Sequence, residues 1–452
     1  MQVFKGHQQN FSVNANCNEK QQSQDGVQQS TVVAADSNLN INFADSMTSF
    51  TRESGLRDDF IIPPKIASSM VMKFMDEWAQ HGVDSWFKHG WLEADLNLSN
   101  MMSPLLGTKP QEITFTSGLT ENIHKLVSTF YKPQGKRNKI ITIQNEFSSD
   151  IYAIQSQIEL KGLNHKECMI SVAVDQLYSE KATNDLIEAI VKNKDSTSIV
   201  WFSMVNYLTS VKFDVEKIAK VCHQYGIHCL IDLAHAAGCL PLDLHKWQID
   251  GAVWCSYKYL NSGPGCLGGI YMHKNHEKLF PGMRGWHGNS RKTQFLMRAD
   301  YEPESDARKF QISNYDPGQV TRVEAGLSLF HKAGGMEKVR ERNVKLTDYL
   351  VKGLQQLPKL KILSPLNEQE RGSHLSIVIE NTDMKEFKQV LSNEGVLGDL
   401  RRFDEHDNYL MRISPVGLYI TYEDIDRVVQ VLDYVLNEKK EKFEVKKNEA
   451  VV

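Results

Sequence analysis

Across residues 112–273, short β-branched apolar runs alternate with segments whose apolar residues recur at helical spacing, and this alternation restricts the fold more than any other pattern in the chain. Residues 139–143, 169–174, 198–205 and 228–232 read as strands, and 149–160, 184–192 and 214–225 as helices. The strands are apolar throughout rather than alternately, so both of their faces must be covered. That requirement is met by a mostly parallel sheet with helices on either side. The expectation is an α/β chain with a large doubly wound domain over residues 106–318. Residues 51–105 precede it, with a helical run of Ile66, Met70, Phe74 and Trp78 and an aromatic stretch of Trp86, Phe87, His89 and Trp91 that lines a pocket or packs as a core loop. A smaller α+β domain is expected over 319–440, a Gln/Asn/Ser-rich tail over 1–50 and a charged tail over 441–452.

Open sheets of this kind bind ligands beyond the carboxyl ends of their strands. Two strand ends carry reactive groups. One apolar run ends in Asp232 and continues Leu-Ala-His235; another, 252–255, leads through Ser256 and Tyr257 to Lys258 and a glycine turn at Gly263-Pro-Gly265. A lysine beside aromatic neighbours at a strand end suits Schiff-base chemistry, because partial desolvation frees its amine. An acid at the next strand end can keep a cofactor's pyridinium nitrogen protonated. The pair points to pyridoxal phosphate (PLP).

A third turn, Thr114-Phe-Thr-Ser-Gly118, opens a helical pattern at Leu119-Thr120. Backbone N–H groups at such a helix start bind phosphate, with Thr120 supplying a hydroxyl; a helix merely capped by Thr120, Asn122 or Ser117 explains the same residues. Gly263-Pro-Gly-Cys-Leu-Gly268 has dinucleotide-binding spacing, but it leads into a strand rather than a helix, which excludes that role. No metal centre is expected, since His273 and His276 alone form too weak a set.

Lys and Arg total 52 against 56 Asp and Glu, a net charge of −4 that argues against a nucleic-acid partner. The seven cysteines show no Cys-x-x-Cys spacing and several lie in apolar runs, as in a reducing compartment. No run is long and apolar enough for a membrane span, and the first 40 residues lack a secretory or import pattern. A cytoplasmic protein is expected, with no membrane partner.

Phe147-Ser-Ser-Asp150, Asp232-Leu-Ala-His235, Trp254-Cys-Ser-Tyr-Lys-Tyr-Leu-Asn261, Gly285-Trp286, Ser313-Asn314 and Arg412-Ile-Ser-Pro415, in this order, resemble kynureninase. The resemblance implies a fold-type-I PLP enzyme, a homodimer that cleaves kynurenine or 3-hydroxykynurenine to an anthranilate and alanine in tryptophan catabolism and NAD biosynthesis. It implies that Lys258 takes the cofactor aldehyde, that Asp232 pairs with the ring nitrogen near His235, and that Phe147 stacks on the ring. Ser148, Ser149 and Asp150 belong to the same cluster. Leu119, Thr120, Ser203 and Tyr257 would hold the phosphate, Tyr257 also serving as an acid–base partner. Trp286 and Asn314 would reach the cofactor across the dimer, Asn314 and His287 would border the substrate, and Arg412 would clamp its α-carboxylate.

The chain also departs from that family. Residues 57–61 replace a Gly-Asn-Ser-Leu-Gly run, His287-Gly288-Asn289 stands where Phe or Trp followed by Gly-His is usual, and Leu208-Thr209-Ser210 replaces Tyr-Thr-Gly, with Tyr207 displaced by one. These changes touch substrate-bordering positions, so a different β-acyl amino acid is an alternative substrate, and an inactive PLP-binding paralogue an alternative role. A cysteine desulfurase is excluded because no cysteine follows Cys266.

Overall fold

The computed structural model describes residues 65–357, 360–380, 384–396, 398–402 and 408–438. The tails and residues 57–61 lie outside that set. Seven strands form the larger sheet: β1 (Ile113–Thr116), β2 (Lys139–Ile143), β3 (Met169–Val172), β4 (Thr197–Ser203), β5 (His228–Asp232), β6 (Gly251–Trp254) and β7 (Gly268–Met272), in the order β1-β7-β6-β5-β4-β2-β3. Neighbours from β3 to β6 pair in parallel, and β7 runs against both β6 and β1.

The apolar strands serve two cores at once. Side chains alternate across a strand, so Ile199 and Trp201 face the layer of Leu119–Phe130 and Ser148–Glu159. Val200 and Phe202 face the opposite layer, which holds residues from Ser179–Asn193 and Val215–Gln224. Every residue of β4 is buried, which explains its unbroken apolar reading. Six cysteines of the described residues, from Cys168 to Cys266, are buried free thiols. The aromatic stretch resolves largely into packing: Trp91 lies against Phe74 and Trp86, and Trp86 against Tyr315, while Phe87 is exposed.

A second, antiparallel sheet has the order β10 (Asp399–Arg402), β11 (Tyr409–Ile413), β9 (Leu375–Ile379) and β8 (Lys361–Ile362). Its own core includes residues of Met336–Gln355 and Tyr422–Asp433. β10 was not expected from the sequence. As an outer strand it is held by main-chain pairing to β11, so Asp-Leu-Arg-Arg carries no apolar alternation.

β6 and β7 approach so closely that a Cβ on Gly269 would lie 2.1 Å from the Trp254 ring, itself fully buried. Gly269→Ala is expected to lower unfolding free energy by about 1–3 kcal/mol, the usual cost of overpacking, read as a shifted denaturant midpoint.

Candidate active site

β1, β2, β4, β5 and β6 point the same way, so their carboxyl ends open on one edge of the sheet. Register places Ser203 of β4 beside Asp232 of β5, and Asp232 beside Val253 of β6, after which the chain leads to Lys258. The turn after β2 delivers Glu146, Phe147 and Asp150 to the same edge.

Lys258 Nζ lies 3.2 Å from His235 Nε2 and 5.9 Å from the centre of the Phe147 ring. Burial, reinforced by the Lys258, His374 and Arg412 charges, holds the His235 pKa well below 6.5. The imidazole is therefore neutral and within hydrogen-bonding distance of Nζ, and its Nδ1 is buried with no partner among the described residues. Cys239 donates its thiol to the His235 carbonyl at 2.8 Å.

Asp232 is buried, and one of its oxygens accepts from Ala234 N–H at 2.6 Å. Burial pushes its pKa up to about 7 against the lowering effect of Lys258. Asp150 accepts from Trp201 Nε1 at 3.0 Å and is raised well above the usual carboxylate range, first by burial and then by the charges of Asp232 and Glu146. Its second oxygen finds no donor among the described residues. Two buried acids in one site cannot both ionise cheaply, so the pair holds a proton. Glu146 completes the acid group: it accepts from Ser203 N–H and hydroxyl, each at 2.7 Å, and from Phe147 N–H at 2.8 Å. Phe147 meets Tyr207 edge-on at 5.3 Å, and Ser148 is exposed with Ser149 half-buried.

At the end of β1, Ser117 takes a left-handed φ of 40° and the helix begins at Leu119. Glu121 closes the cap by accepting from Gly118 N–H, so neither Thr120, Asn122 nor Ser117 serves as the cap considered above. Asn122 instead donates to the Thr116 carbonyl at 2.7 Å, and Lys125 donates to the Thr116 and Ser117 hydroxyls at 2.9 and 2.8 Å. Burial lowers the Lys125 pKa to about 8. Thr120 and Tyr257 are exposed, and burial of part of the Tyr257 ring beside Cys255 raises its hydroxyl to about 12.

Trp286, His287 and Asn314 form a separate group. The His287 ring is fully buried, 3.3 Å from an Arg291 guanidinium nitrogen and edge-on to Tyr315; burial lowers its pKa to about 3. Trp286 is part-exposed and donates to the Gln294 carbonyl at 3.3 Å. These three share no hydrogen bond or ring contact with the Lys258 group among the described residues. Arg412 reaches in from β11, donating to the Tyr207 carbonyl at 2.7 Å and pairing with Asp399 of β10, with its Nε buried and without a partner among the described residues.

Reading the sequence missed Glu146, Lys125, His374 and Asp399. Glu146 directly precedes Phe147, so the quoted motif was one residue short of it. His374, buried 5.3 Å from the His235 ring and lowered to about 3 by burial, Arg412 and Lys258, had no sequence signal. The site can hold a flat heterocycle bearing a protonated ring nitrogen and a phosphate. It offers an acid pair that retains a proton, an aromatic face near an amine, an unpartnered buried imidazole nitrogen and a helix start with free N–H groups.

The aminotransferase class-V family model matches residues 97–428. A kynureninase of Dictyostelium discoideum is 34% identical over 381 residues, covering 82% of this chain and 83% of that protein. A kynureninase of Geobacillus thermodenitrificans is 31% identical over 406 residues, covering 85% and 92%. Among solved structures, a C-DES mutant with glycine covalently linked to the PLP cofactor aligns with a TM-score of 0.71 at 20% identity, over 82% of this chain and 94% of that one. An apo cysteine desulfurase of Thermococcus onnurineus gives 0.65 at 16% identity, over 83% and 94%. These two likenesses show the fold.

In cofactor-free protein, Asp232 stays protonated up to about pH 7 when folded but ionises from about 3.8 when unfolded. Its burial therefore costs nothing below pH 4 and an increasing amount as pH rises to 7. Asp232→Asn, which does not titrate, is expected to gain stability over wild type across that window, by at most about 4 kcal/mol. Urea unfolding of both apo proteins between pH 5 and 8 checks it.

Proposed function

We propose that this chain, which belongs to the aminotransferase class-V family and within it to the kynureninases, binds PLP and hydrolyses the Cβ–Cγ bond of kynurenine or 3-hydroxykynurenine. Water is consumed and an anthranilate and alanine leave. The observation that carries the reading is the Lys258–His235 contact at 3.2 Å beside the buried Asp232. Bound PLP supplies the electron sink for negative charge developing at the substrate Cα.

The chain's own residues would divide the remaining work. Lys258 anchors the cofactor and moves the proton at Cα, and neutral His235 orients its amine by accepting from it. Asp232, with Asp150 behind it, holds the proton at the cofactor's ring nitrogen, and Glu146 fixes Phe147 and Ser203 beside that acid pair. Phe147 would cover the ring, with Ser148 and Ser149 opening the helix that follows it. The N–H groups of Leu119 and Thr120 and the hydroxyls of Thr120 and Tyr257 would hold the phosphate; Ser203, expected among them, is buried beside Asp232 and its hydroxyl is spent on Glu146. Arg412 orients the substrate carboxylate, a planar two-pronged contact that a lysine cannot copy. Trp286 and Asn314 would complete the site from the second subunit of a homodimer; His287, expected beside the substrate, is buried within its own chain. Cytoplasmic tryptophan catabolism leading towards NAD belongs to the same proposal.

A second reading, another β-acyl amino acid, is favoured by His287: its ring is fully buried against Arg291 and Tyr315 within the chain and offers no aryl-stacking face. Alanine release from kynurenine, 3-hydroxykynurenine and aliphatic β-acyl analogues separates the two. Activity on the analogues alone removes the first reading, and alanine from none removes both.

Lys258→Ala is expected to abolish the visible cofactor band and lower kcat at least about 10³-fold. Arg412→Lys should keep the band and lower kcat/KM about 10- to 100-fold, chiefly through KM. Absorbance spectra and steady-state kinetics check both.

A further inference from the structure

The opposite edge of the large sheet, where β5 and β6 begin and β7 ends, carries two His-carboxylate groups that the active site does not use. One joins Glu112, His245 and His273. Its carboxylate is occupied by main chain: Glu112 accepts from Lys274 N–H and Lys109 N–H, each at 3.0 Å, besides His245. It reads as a buttress at the start of β1.

The other differs. Asp250 Oδ2 accepts from Cys229 N–H at 2.7 Å and from His223 Nε2 at 3.0 Å. Oδ1 faces imidazole nitrogens: His276 Nε2 at 2.5 Å and His228 Nδ1 at 3.8 Å. The three atoms lie within 4.8 Å of one another. Ligand atoms of a tetrahedral zinc site stand about 3.3 Å apart given bonds of about 2.0–2.2 Å, so the two observed separations bracket what the ion needs. Small side-chain rotations would equalise them. The Phe130 ring lies edge-on to both imidazoles, at 5.1 Å from His228 and 4.9 Å from His276, and limits their alternatives. His228 is 37% exposed and His276 17%, so water can reach a fourth position. Three imidazoles hold Asp250 ionised, far below the usual carboxylate range despite its burial.

We propose that His228, Asp250 Oδ1 and His276 form a binding site for a zinc-class divalent cation, with water as fourth ligand. His223 and Cys229 N–H orient the carboxylate through Oδ2. The ion takes the place of the hydrogen between His276 Nε2 and Oδ1; a neutral imidazole then carries its proton on Nδ1, and an imidazolium releases one proton to solvent. Bound there, it ties the start of β5, the entry to β6 and the turn after β7. The site stands at the far edge from Lys258 and does not depend on the proposed reaction.

The test uses the full-length, PLP-loaded protein, stripped with EDTA and dialysed against Zn²⁺ in the presence of a competing chelator, with zinc measured by atomic emission. Wild type is expected to retain one equivalent, and His228→Gln and His276→Gln to lose it while keeping the cofactor band and wild-type circular dichroism. His223→Gln should retain it with an affinity about 10- to 100-fold weaker, as for other residues that orient a ligand. Zn²⁺ should also raise the melting temperature of wild type but not of His228→Gln. The proposal is overturned if wild type retains no equivalent, or if both glutamine variants retain as much as wild type. Should one variant not fold, the other and the wild-type melting shift decide the matter.

Discussion

The parallel pairing of β4 with β5 fixes everything that follows at the active edge. Its register sets Ser203 against Asp232, and the next register sets Asp232 against Val253, from which Lys258 is reached within one short turn. A slip of one residue would send Asp232 to the other face of the sheet. The two apolar layers prevent that slip, because Trp201 and Phe202 are fully buried on opposite faces and cannot exchange places. Core packing thus acts directly on the position of Asp232.

The fold then gathers more acid than a buried site would tolerate alone. Glu146, Asp150 and Asp232 are all raised by burial, and hydrogen bonds from Ser203, Phe147, Trp201 and Ala234 N–H or side chains offset part of that cost. Lys258 supplies the opposing charge. Such an arrangement is poorly suited to stability and well suited to holding a proton beside a ring nitrogen, which is the pattern of pKa perturbation expected at a functional site. His235, neutral because the same burial and cations disfavour its charged form, orients the amine without competing for the acids.

Much of this was legible in the sequence. The unbroken apolar strands announced a sheet covered on both faces, and strand ends located Asp232 and Lys258 without any contact information. What was not legible came from chain segments whose side chains carry no periodic signal. β10 is polar because backbone pairing holds it, yet it brings Asp399 to Arg412. His374 follows Arg371-Gly-Ser in an ordinary-looking loop and is placed near His235 only by the second sheet. Thr120 has the hydroxyl of a capping residue, but Glu121 takes that task, a competition between neighbouring polar residues that sequence cannot rank.

The two ends of the strands around β5 treat their carboxylates in opposite ways. Asp232, at the carboxyl end, meets one lysine and two other acids, and its proton is held up to about pH 7. Asp250, beside the amino end, meets three imidazoles and a main-chain N–H, and its charge is held far below the usual range. Both are buried: burial raises Asp232, whereas at Asp250 the imidazole and main-chain donors overcome it. One sheet therefore carries a proton-holding acid at one edge and an ionised one at the other. Of the histidines that make the second possible, His228 opens β5 and His276 follows β7, both set beside Asp250 by the same sheet, while His223 comes from the helix Val215–Gln224.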